Sequence, residues 1–215
     1  MTAFLRICAL MVLLAPLIPA AQAMTEPQPI LVVAFGPFAG RGENGSATVV
    51  ESLVGRRIGD HPIVTAVLPV EWGQPEQRIP ELMAKHQPLM ILGLGEGFPG
   101  RVAIETRAVN ARAHADEQGK PPPTRRLGPA EETHRSSRLV IPDPLPTTDV
   151  PVVISQDAGR YLCNNLLWVC LGEQVDHAGF IHLPPQGEQS DAEYAPRFTA
   201  VVEACLAAQL ASPAP

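Results

Sequence analysis

Two stretches of this chain are apolar along their whole length and stop at turn-forming residues. Ile30-Leu31-Val32-Val33-Ala34-Phe35 is followed by Gly36-Pro37, and Leu89 to Leu94 runs into Gly95 and Gly97. A strand with one wet face alternates polar and apolar residues, so a strand that never alternates must be covered on both faces. Between these runs the period changes. After Ser46, which is suited to capping a helix, Val49, Val50, Leu53 and Val54 fall at helical spacing. Val64 to Val70 reads as a second strand, and Pro75 opens a second helical pattern carrying Ile79, Leu82 and Met83. Strands buried on both sides and alternating with helices predict an α/β fold, a three-layer α/β/α arrangement around a twisted, mostly parallel central sheet. At 215 residues, the chain has room for one such domain.

Further along, Val102 to Asn110 reads as extended. Val152-Val153-Ile154 and Ala178 to Ile181 read as strands, and helices are expected over Tyr161 to Leu171 and Ala192 to Leu210. From Arg112 to about Val150 the sequence is polar and rich in proline (GKPPPTRRLGP, then IPDPLPTTD). That length without regular structure predicts a functional or a mobile segment.

The first 23 residues have the anatomy of an export signal. Arg6 supplies the positive charge, Ile7 to Leu17 the apolar stretch, and Ala21-Gln22-Ala23 an A-x-A cleavage site. The expectation is a signal peptide over 1–23 and a mature domain over 24–215, placed in a periplasm or secreted and free of the membrane once cleaved. A net charge of −6 argues against a nucleic-acid binder, whose affinity comes largely from a basic face. Export also favours disulfides, but the mature part keeps only Cys163, Cys170 and Cys205. Cys163 and Cys170 are seven residues apart on one expected helix, too far to bridge, which leaves a Cys170–Cys205 bond or three free thiols.

Some motifs admit more than one reading. Gly95-Glu96-Gly97-Phe98-Pro99-Gly100 is a literal G-x-G-x-x-G after a strand, with Asp116 at a suggestive distance. A dinucleotide site needs a helix directly after the glycines, and an extended segment follows instead. There is no C-x-x-C and no histidine pair at helical spacing, and His177 and His182 fall on opposite faces of their strand, so no metal is expected. Cys163 falls in the first turn of a helix, where backbone N–H groups and the helix dipole favour a thiolate. His182 ends an apolar strand nineteen residues later. By residue type alone, a nucleophile and a buried structural cysteine fit Cys163 equally well.

Taken in order, several segments resemble the type I pyroglutamyl peptidases, cysteine peptidases that remove an N-terminal 5-oxoproline. The family pattern G-F-x-P-F-G-G followed by N-P-S stands here as Ala34 to Gly40, then Asn44-Gly45-Ser46. Leu68-Pro69-Val70 follows. The glutamate stretch E-R-V-A-I-N appears as Glu105-Thr106-Arg107-Ala108-Val109-Asn110, the nucleophile stretch as Ala158 to Asn164, and the histidine stretch G-F-I-H-[VL]-P as Gly179 to Pro184. The resemblance spans Ile30 to Pro184.

It implies a triad with Cys163 as nucleophile, His182 as base and Glu105 as orienter. It also implies a lactam pocket walled by Phe35 and Phe38, with Asn44 holding the adjacent loop and Tyr161 and Leu162 on the substrate side. No metal or organic cofactor is implied. The expected partner is a peptide with an N-terminal pyroglutamate, and the resemblance also admits a homo-oligomer. Departures are specific: the arginine preceding the glutamate is displaced to Arg101, the arginine usually next to it becomes Arg107, and Pro142 to Pro146 stands where relatives carry a helix. Two other functions fit the same residues, a relative acting on another cyclic amide and a non-catalytic envelope binding protein.

Overall fold

The computed structural model describes residues 26–211. The export-signal reading of 1–23 lies outside the described residues. A seven-stranded sheet runs in the order β2-β3-β1-β4-β9-β5-β8, formed by Arg57–Ile58, His61–Leu68, Ile30–Phe35, Met90–Glu96, His177–Leu183, Val102–Glu105 and Val152–Ser155. Neighbours from β3 through β9 are parallel. β5 is antiparallel to β9 and parallel to β8, and β2 pairs with β3 as a short antiparallel edge. The expected mostly parallel α/β/α architecture is the one observed.

Each face has its own core. Helices α1 (Gly45–Ser52) and α4 (Asp191–Ala211) cover one side, where Val49, Phe198 and Leu206 pack on Val32, Leu92 and Ile181. Helices α2 (Gln74–His86) and α3 (Leu162–Gly172) cover the other, with Ile79, Leu166 and Trp168 packed on Leu31, Ile91 and Phe180. This division corrects the pairing considered for Cys170 and Cys205. The two lie in cores on opposite sides of the sheet, so α3 and α4 never meet, and all three described thiols are free.

Smaller departures have local causes. The cap of α1 is Asn44, whose side chain accepts from the Ser46 N–H and hydroxyl, a contact of a kind that stabilises a helix by about 1 kcal/mol. Val54, expected on the buried face, lies beyond the helix end and is exposed. The extended stretch over Val102–Asn110 breaks at Thr106, whose N–H and hydroxyl both bond the Ser155 carbonyl. Its second half, β6 (Arg107–Val109), leaves the main sheet and pairs with β7 (His134–Ser136).

The polar 112–150 segment is tied down by side chains. Asn110 accepts from Leu127 and Gly128 N–H groups and donates to the Gly128, Pro129 and Glu132 carbonyls. Asp116 accepts from the backbone N–H groups of Trp72, Gln118 and Lys120, which ties its own turn to the loop after β3. Arg138 donates to the carbonyls of Leu171, Glu173 and Val175, which closes the C-terminal end of α3. Beyond it Leu139, Ile141, Leu145 and Val150 pack on the α1/α4 core, so an irregular strap covers the sheet where relatives are expected to carry a helix.

Candidate active site

The site lies at the C-terminal ends of the parallel strands, where α/β sheets hold their ligands. Cys163 is the second residue of α3, behind Tyr161 as the N-cap. The first N–H groups of a helix have no intrahelical acceptor, so this turn presents donors and the positive end of the helix dipole beside the sulfur. His182 is near the end of β9, where it pairs with Gly95 of β4 on one side and Ala103 of β5 on the other. Glu105 ends β5, one residue pair further along the same strand face.

These three side chains meet. His182 Nδ1 lies 2.8 Å from Glu105 Oε1, and the Cys163 thiol lines the same cavity, near enough to the imidazole to raise its basicity. With Nδ1 engaged by the carboxylate, Nε2 is the nitrogen left for the sulfur. Burial would lower the basicity of His182, but its interactions with Cys163 and Glu105 outweigh that cost and push its pKa up to about 9. Glu105 is 2% exposed, and its other oxygen, Oε2, has no hydrogen-bond partner among the described residues. A buried carboxylate so sparsely bonded gains most from a protonated imidazole beside it. The ring of Phe180 sits edge-on to His182 at 4.9 Å between centroids and fixes its tilt.

The G-x-G-x-x-G segment finds its explanation here. Gly93 and Gly95 of β4 and Gly97 just beyond it alternate onto one face, and a Cβ at each would collide with Cys163, His182 or the Phe180 ring beside them. At Gly95 it would lie 2.7 Å from Cys163 Sγ, at Gly97 2.7 Å from His182 Cβ, and at Gly93 2.4 Å from the Phe180 ring. Gly95 and Gly97 make room for a cysteine and a histidine. Gly95→Ala is expected to displace the sulfur and lower kcat by about ten- to a hundredfold, with the fold retained by circular dichroism.

A cavity of about 340 Å3 opens in front of the triad. On the β1/β3 side its walls are Phe35, Phe38 and Val70, with Tyr161 and Leu162 above; on the β5/β8 side they are Phe98, Arg101, Ser155 and Asp157. Asn44 lines it too and donates to the Gly36 carbonyl, which fastens the loop between Phe35 and α1. The structure therefore brings all eight residues singled out from the sequence to one cavity. Arg101 stands at its rim over the exposed Phe98 ring, and Arg107 turns away to the Gln156 carbonyl. His177 is elsewhere, donating to the Arg138 carbonyl at the start of β9. Sequence reasoning missed the structural part played by Glu96. Its carboxylate is buried beside the cavity and binds Arg41 and the Gly45 N–H. Nothing in its local spacing marked it.

The sequence pattern of one family, described as pyroglutamyl peptidase, matches residues 28–209. The chain belongs to the pyroglutamyl peptidase family. Members are cysteine-type peptidases, in keeping with a cysteine at the centre of this site. Among relatives, the pyrrolidone-carboxylate peptidase of Pyrococcus furiosus is 31% identical over 172 residues, covering 74% of this chain and 82% of that one. That of Saccharolobus islandicus is 30% identical over 165 residues, covering 72% and 78%. The crystal structure of the Pyrococcus furiosus pyrrolidone carboxyl peptidase superposes with a TM-score of 0.74 at 27% identity, over 85% of this chain and 99% of that one. The Thermococcus litoralis enzyme shares the fold at a TM-score of 0.77 and 21% identity, over 86% and 94%.

Proposed function

We propose that this protein hydrolyses the amide bond that follows an N-terminal pyroglutamyl residue of a peptide, with Cys163 as nucleophile. The observation that carries this reading is the meeting of Cys163, His182 and Glu105 at one wall of a cavity whose adjoining walls are the Phe35 and Phe38 rings and Val70. Family membership supports it.

The geometry gives each group a step. His182, held by Glu105, takes the thiol proton, and the thiolate attacks the pyroglutamyl carbonyl carbon. The negative oxygen that results faces the N–H groups of the first turn of α3. The imidazolium returns the proton to the departing amine as the C–N bond breaks and a thioester forms. Water, giving a proton to the same imidazole, then attacks the thioester, and pyroglutamate leaves with the thiol restored. Phenyl walls suit a flat, uncharged lactam. They would strip water from the ammonium of an unblocked N-terminus without replacing it, which is strongly unfavourable.

Residues 1–23 support export, so the substrates we propose are peptides of a periplasm or the extracellular space. Turnover of a chromogenic pyroglutamyl amide by the purified protein tests the reading, with prolyl and glutamyl amides as controls. Hydrolysis of the pyroglutamyl compound alone is the expected result. Cleavage of a different cyclic amide in its place, or binding without turnover, would replace this function with another.

A further inference from the structure

The loop that carries Phe38 is held in an unfavourable shape by contacts that the catalytic steps do not use. Ala39 and Gly40 are both left-handed, with φ of 56° and 71°, and for Ala39 that conformation crowds its Cβ. A loop bent this way persists only if its surroundings hold it. Arg41 supplies most of the restraint. Its guanidinium stacks on the Phe38 ring 4.3 Å from the centroid, its Nε donates to the Phe38 carbonyl, and its Nη2 lies 2.5 Å from Glu96 Oε2. The Glu96 side chain is 2% exposed. Its other oxygen accepts from the Gly45 N–H at 2.6 Å, the first turn of α1, and from the Gln186 N–H at 3.4 Å, just past the strand of His182. Glu117 adds a tie by accepting from the Ala39 N–H.

One buried carboxylate thus joins the Phe38 loop, the start of α1 and the segment after His182. The geometry points to Arg41 and Glu96 as positioning residues that hold the Phe38 wall at a fixed place relative to His182. The lactam then meets a preformed pocket. This inference rests on the proposed pyroglutamyl specificity and adds the residues that set substrate affinity. Neither side chain touches the reacting atoms, so their effect belongs to binding: a slack wall weakens the hold on the lactam and leaves the triad as it was.

Arg41→Ala is the first test, because Arg41 is 31% exposed and its removal leaves no cavity deep in the core. KM for a pyroglutamyl amide should rise by roughly ten- to a hundredfold, the size expected from losing a part-buried, charge-assisted contact. The kcat at saturation should stay within about threefold, and iodoacetamide should label Cys163 at an unaltered rate. Arg41→Lys, which keeps the charge without the planar stack, should fall between. Glu96→Gln should mimic Arg41→Ala, and the double variant should be no worse than the worse single, because both break one linkage. Hydrogen exchange over residues 36–44 should quicken in Arg41→Ala whatever the substrate proves to be. Unchanged KM and unchanged exchange in an active Arg41→Ala protein would overturn the inference, as would a fall confined to kcat. A parent protein that does not cleave pyroglutamyl amides would instead overturn the proposed function.

Discussion

Cys163→Ser is expected to lower turnover of a pyroglutamyl amide by at least about 10^4-fold, since removal of a triad nucleophile leaves only binding and oxyanion contacts to act. The thermal midpoint should barely move, because oxygen replaces sulfur at a position of intermediate exposure in the first turn of α3. Iodoacetamide gives an independent check. Among the three described thiols it should modify Cys163 alone in the parent protein and none in the variant. Burial holds Cys170 far up and pushes Cys205 up to about 12, and both are closed off from solvent. Substantial turnover by the serine variant would end the cysteine-peptidase mechanism. Rapid modification of Cys170 and Cys205 as well would show that the two cores are less closed than the structure describes.

Glu105→Gln should cost about 10^2- to 10^4-fold in kcat, by the logic that the carboxylate fixes the imidazole tautomer and stabilises the imidazolium. A pH profile separates this from simple damage. The interactions with Cys163 and Glu105 raise His182 to about 9 against the lowering effect of burial. The alkaline limb of kcat/KM, a property of the coupled Cys163–His182 pair, should therefore fall near that pH in the parent protein. In Glu105→Gln, with one of the two raising contacts weakened, the limb should move to lower pH. Stability follows the same sign. His182 is raised above its unfolded value of about 6.5, so its contribution is complete below that pH and is lost as pH rises through about 9. The parent's thermal midpoint should decline across that window, and the variant's should decline less. An unshifted limb with unimpaired kcat would remove Glu105 from the catalytic triad.

The fold was legible because burial leaves a periodic trace. Continuous apolar runs at Ile30–Phe35 and Met90–Leu94 can only be covered on both faces, and the helical spacing between them supplies the cover. Cys163 and His182 stood out as candidates because strand ends and helix starts are where such a sheet gathers chemistry, but only the family pattern separated a nucleophile from a structural cysteine. Glu105 was identifiable only through the family pattern, since β5 runs antiparallel to β9 and no local spacing announces that reversal.

What the sequence by itself determined is the class of fold, the order of its main elements and the residue types available for acyl transfer. Each follows from local periodicity or from a short contiguous motif, which a linear reading retains. Only the tertiary structure decided the rest. The sheet separates Cys170 from Cys205, Gly95 and Gly97 turn out to clear space for Cys163 and His182, and the polar 112–150 segment is anchored by Asn110 and Arg138. Glu96, two residues from Leu94 and nine before Glu105, became part of the pocket wall through partners 55 and 51 positions away, Arg41 and Gly45. Contacts of that range depend on which strands lie side by side and which face each residue takes, and neither leaves a trace in local sequence.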